Sequence, residues 1–148
     1  MKNTQKPFRL AIFNALDGNL SYNSVNVPVT DEKKILGDTS KIYVIFRRQT
    51  ETPTDENDCT WITQSTIDLL IVSKTFSETS KDIVNDIADD ILELLLTTPQ
   101  INGFTDPLGF QVQNIKLAYS ETGTMRMNST DIMLTQLLTI TAQIVQQS

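Results

Sequence analysis

Apolar positions change period sharply near the middle of the chain. Trp61, Thr63, Ser65, Ile67, Leu69, Ile71 and Ser73 share one parity, and Ile62, Gln64, Thr66, Asp68, Leu70 and Val72 the other. A period of two predicts a strand. Because residues 69–72 are apolar on both parities, it is a central strand with at least one end covered on both sides. Ile83, Ile87, Ile91 and Leu95 then recur every fourth residue beside Val84, Ala88 and Leu92, with Asp82, Asp86, Asp89, Asp90 and Glu93 opposite. This spacing predicts an amphipathic helix with one buried stripe. Thr79 and Asp82 stand like an N-cap and its third-residue partner, the early acids suit the positive end of the helix dipole, and Pro99 follows the helix.

Upstream, Pro7 fits the first turn of a short helix whose face is Phe8, Leu10, Ala11, Ile12, Ala15 and Leu16, ending at Asp17-Gly18. Residues 19–26 read as mostly loop, and Val25, Val27 and Val29 alternate into a brief strand that Pro28 confines to an edge. Residues 41–49, rich in β-formers, form the next strand. The polar, acidic stretch 50–58 then reads as the connection of an antiparallel hairpin with a mobile tip. Downstream, Asn102-Gly103 and residues 106–109 mark turns, residues 110–119 alternate as a strand, and residues 120–130 read as a second polar hairpin connection. In residues 132–145 both periods fit. The β-branched Thr135, Thr139, Ile140, Thr141, Ile144 and Val145, and a hairpin partner directly upstream, favour a strand. The expected order is α-β-β-β-α-β-β, an α+β fold with a mainly antiparallel sheet flanked by helices, as a single domain over residues 1–148.

Composition narrows the chemistry. With 148 residues, 39% hydrophobic and 20% charged, the chain has enough for one core and reads as an ordinary soluble domain. A net charge of −6 without a Lys/Arg cluster argues against wrapping nucleic acid, though not against passive exclusion of DNA. Asn14 and Asp17 interrupt the apolar start, so no signal peptide is expected, and no run reaches the roughly 20 apolar residues of a membrane span. Histidine is absent, which removes Ser-His, Cys-His and His-metal sites, and the five glycines are not spaced as a phosphate loop. Asp86, Asp89 and Asp90 read as a solvated helix face. Asp55, Glu56 and Asp58 lack the glycine and terminal glutamate of an EF-hand. Cys59 has no base beside it in sequence and reads as a structural thiol, Trp61 as a core or interface filler. No cofactor and no metal are expected.

Two places suit contact with another protein. Arg47-Arg48, at a strand end, is suited to carboxylate or phosphate, with a solvated pair as the equal alternative. Beside it lie Glu51, Thr52, Pro53, Asp55 and Glu56 of the hairpin connection. Met125-Arg126-Met127 sets two flexible thioethers about an arginine, which suits a protein partner or a methionine tucked under its loop.

FRLAIFNAL, NVPV and the run from KIYVIFRRQTETPT through VNDIADDILELL resemble, in element order and local pattern, the tail-completion or tail-terminator proteins of bacteriophages. The resemblance implies a structural subunit without catalytic residues, assembled in the host cytoplasm into a ring, usually hexameric. That ring caps the tail tube, receives the head connector, and in the virion meets DNA only as it passes through. Another neck or tail-tube ring subunit is the near alternative. A small ligand-binding or enzymatic α+β domain is the distant one.

Overall fold

The computed structural model describes residues 5–31, 42–56, 60–74, 80–97, 110–126 and 132–147. Helix α1 (Gln5–Leu16) closes on Gly18, whose φ of 78° is open to glycine without strain. The Asp17 amide there donates to the Phe13 carbonyl at 2.8 Å and the Asn19 side chain to that of Ala15 at 2.9 Å, so freed carbonyls at the helix end are satisfied. A miniature hairpin follows, β1 (Ser21–Tyr22) and β2 (Val25–Asn26), turned by Asn23 and Ser24 at φ 50° and 65°. Two successive positive-φ residues match the right-handed twist of a tight hairpin.

The main sheet holds β3 (Val29–Asp31), β4 (Ile42–Glu56), β5 (Thr60–Ser73), β6 (Phe110–Arg126) and β7 (Ile132–Gln147) in the order β3-β4-β5-β7-β6. Only β3 runs parallel to its neighbour; the other pairs are antiparallel. The fold is α+β with a mostly antiparallel sheet, and β5 is its middle strand. Helix α2 (Ser80–Thr97) packs with α1 on one face of the sheet. Ile83, Ile87, Ile91 and Leu95 meet Phe8, Ile12 and Leu16, and beneath them Val44, Phe46, Ile67, Leu69, Ile71, Leu138, Ile140 and Ile144 form the floor of one core. On the opposite face, at the end where β5 is apolar on both sides, Tyr43, Ile45, Leu70 and Val72 form a second small cluster with Met133 and Leu137. The Lys74 ammonium lies 5.2 Å from the centre of the Tyr43 ring.

Three sequence expectations need correction. The connection expected at residues 50–58 is strand as far as Glu56, because Thr50, Thr52 and Thr54 alternate along β4 and pair with the equally polar start of β5. Pro53 is tolerated because β3 pairs β4 only from Val44 to Phe46, so at Pro53 no described strand needs an amide on that side. The connection expected at 120–130 is strand as far as Arg126, held by the start of β7. In both cases a polar, β-branched alternation paired along its length forms a strand rather than a loop. The stretch 19–29, expected as loop leading into one brief strand at 25–29, holds three: β1, β2 and β3. Only Val25 is exposed, while Val27 and Val29 are buried under the helices. The observed order therefore carries two strands more than expected. The N-cap at Thr79, the turns at residues 98–109, the tip at 57–59 with Cys59, and Met127 fall outside the described residues.

Candidate functional site

The pairing of β5 with β7 runs without interruption from Thr60↔Gln147 to Ser73↔Leu134. All irregularities sit in the flanking strands: β4 carries an extra residue between Phe46 and Gln49 and another between Pro53 and Asp55, and β6 between Gln113 and Lys116 and between Leu117 and Tyr119. Asn114, at φ 54°, takes up the first of the β6 bulges. The Phe46–Gln49 bulge of β4 and the Leu117–Tyr119 bulge of β6 lie at the same height, on either side of the central pair Asp68↔Thr139. Bulges tilt side chains out of the regular pleat, and these two leave a shallow depression of about 330 Å³ on the face away from the helices. It is lined by Arg48, Thr50, Thr66, Asp68, Tyr119 and Thr139.

Asp68 is a carboxylate in a strand otherwise apolar at this height. Thr139 Oγ1 donates to its Oδ1 at 2.8 Å. Tyr119, half exposed at the rim, donates its hydroxyl to Glu121 Oε2 at 2.9 Å, and that hydrogen bond together with the glutamate charge holds the phenol above its ordinary range. On the same face Thr141, opposite Thr66, is buried with its Oγ1 unpaired. The Arg48 guanidinium is exposed. The depression thus offers a guanidinium, a carboxylate and several hydroxyls to an approaching polar chain.

Among the residues expected at an interface, Arg48 lines this depression and Arg47 is exposed beside it. Thr52 and Pro53 are exposed and Glu51 half-buried along β4, while Asp55 and Glu56 lie in the strand opposite Ile62 and Trp61. Met125 and Arg126 end β6, opposite Met133 and Ile132. The two expected groups therefore lie on strands separated by β5 and β7, and the structure does not bring them together within one chain. Asp68, Tyr119 and Thr139 were not singled out by sequence; the available signal was a lone acid within Ile67-Asp68-Leu69-Leu70. Asp86, Asp89 and Asp90 are exposed on α2, and no group of acids or thiols among the described residues is arranged to hold a metal ion. No described helix is long and apolar enough to cross a membrane. Neither a family model nor a curated protein matches this chain.

Proposed function

We propose that this chain is a structural subunit of a phage virion, a tail terminator that closes into a ring, usually of six copies, between the tail tube and the head connector. The observation that carries the reading is the pair of unlike sheet margins. β6 ends the sheet on one side with no described strand beyond it, and β4 on the other is covered by β3 only from Val44 to Phe46. Long bare strand edges recruit other strands. Two different edges on one subunit favour head-to-tail association, which closes into a ring when the rotation permits. The resemblance in element pattern supports the same reading. A net charge of −6 does so as well, because a channel of acidic subunits does not hold passing phosphates.

The test is native mass spectrometry and negative-stain microscopy of the purified chain, with antibody labelling of virions. Closed rings and label at the head–tail junction are the expected result. Open tubes would instead identify a tail-tube subunit. A monomer or twofold dimer at every concentration, with no label on virions, would overturn the proposal.

A further inference from the structure

We infer that the depression on the face away from the helices is a binding site for carbohydrate, a trough that takes a short run of neutral sugar rings. The inference goes beyond the ring reading and holds for a single copy. Strand register builds the trough. Its floor, Thr66 and Asp68 on β5 and Thr139 on β7, lies on the strand pair that runs without a bulge. Its two walls are the Phe46–Gln49 bulge, which carries Arg48, and the Leu117–Tyr119 bulge, which ends on Tyr119. Bulges re-aim side chains, and here two of them do so at one height. From β4 to β6 the trough crosses three strand spacings, about 14 Å. Its volume, about 330 Å³, falls at the small end of ligand sites, which run from roughly 300 to 1,000 Å³.

The ligand class follows from the groups left uncommitted. Thr139 donates to Asp68 Oδ1, while among the described residues Asp68 Oδ2 and the Arg48 guanidinium have no hydrogen-bond or ion-pair partner. Arginine only donates, an ionised carboxylate only accepts, and the hydroxyls of Thr50, Thr66 and Thr139 do both. An anion entering here meets Asp68, a cation meets Arg48, and an apolar molecule strips both charges of water without replacing it. A sugar carries no charge, and neighbouring hydroxyls on its ring can donate to Asp68 and accept from Arg48 together. A small zwitterion would match the two charges but leave the far wall unused. There Tyr119 is half exposed and its hydroxyl is already held by Glu121, so what it offers a ligand is the face of its ring. The C–H side of a sugar ring is apolar and stacks on such a face.

The experiment is saturation-transfer difference NMR on the unmodified chain with maltose, cellobiose, lactose and N,N′-diacetylchitobiose as probes, and with inorganic phosphate and glycine as competitors. At least one disaccharide should show saturable transfer, strongest on the protons of one ring face, and neither competitor at equal concentration should displace it. Asp68→Asn keeps an acceptor for Thr139 but puts an amide where Oδ2 stood, and Tyr119→Ala removes the ring at an exposed rim. Each should weaken binding by about tenfold, the equivalent of one lost hydrogen bond or ring contact. Thr52→Ala, exposed on the same face beyond the trough, should leave binding unchanged. Should Asp68→Asn fail to fold, Arg48→Ala at the exposed opposite rim takes its place with the same expected loss. No transfer to any of the probes, transfer that survives these variants, or displacement by phosphate or glycine would overturn the assignment.

Discussion

Single residues carry consequences that can be measured. Tyr119 holds its proton more firmly than an ordinary phenol because Glu121 accepts its hydrogen bond and repels a second negative charge. Glu121→Gln should lower the Tyr119 pKa toward its usual value, followed by ring-carbon chemical shifts against pH; an unmoved titration would mean the pair does not persist. The unfolded chain releases this proton first, so what the pair adds to stability is present below the ordinary phenol range and is lost as pH rises through the folded pKa. Gln136, buried on β7 beside β6, donates to Ser120 Oγ at 2.5 Å and accepts from Thr122 Oγ1. Gln136→Ala removes this bridge and should cost about 1–3 kcal/mol in denaturant unfolding. Sequence could not single out Gln136 or Asp68. A polar residue in a strand takes its meaning from what lies across the ladder, and partners such as Thr139 are distant along the chain. Arg48, by contrast, was legible because a charge pair ending an apolar run marks a change of environment.

At the level of elements, hydrophobic spacing located both helices and the central strand, since each buries one regular stripe. Ile87 is fully buried between α1 and the sheet, and Asp89 is exposed. Ile87→Ala should cost about 2–5 kcal/mol through lost contacts and a cavity, and Ile87→Asp should unfold the chain, whereas Asp89→Ala should leave the melting temperature nearly unchanged. Equal melting of the Ile87→Asp and Asp89→Ala variants would mean the buried stripe is misplaced. Strand ends were less legible. Residues 50–56 and 120–126 contain too little apolar surface to announce themselves, and they become strand only because a ladder partner is supplied by β5 or β7. Shortening residues 51–57 therefore removes ladder pairs rather than slack, and it should lower stability measurably in thermal melts. A deletion that leaves melting unchanged would contradict the pairing of Glu51 to Glu56 with β5.

For the molecule as a whole, both helices lie on one face of the sheet, and the other is apolar at one end and rich in threonine and glutamine toward the other. That asymmetry was only half legible: element order suggested helices flanking a sheet, but which face they take depends on crossovers that periodicity does not record.

The uninterrupted pairing of β5 with β7 also sets an order of events in time. Asp68 and Thr139 are 71 positions apart, while each of the hairpins β4–β5 and β6–β7 is closed by a few residues at its tip. Closing a long loop costs entropy before any contact rewards it, so the two hairpins should form early and their meeting should limit the rate. Truncation at this junction, for example Ile140→Val, should slow refolding in stopped-flow experiments more than it speeds unfolding. Until the junction closes, each hairpin exposes a strand flank that later becomes the middle of the sheet. Newly made chains are most open to mispairing with one another during that interval, before the middle of the sheet is closed.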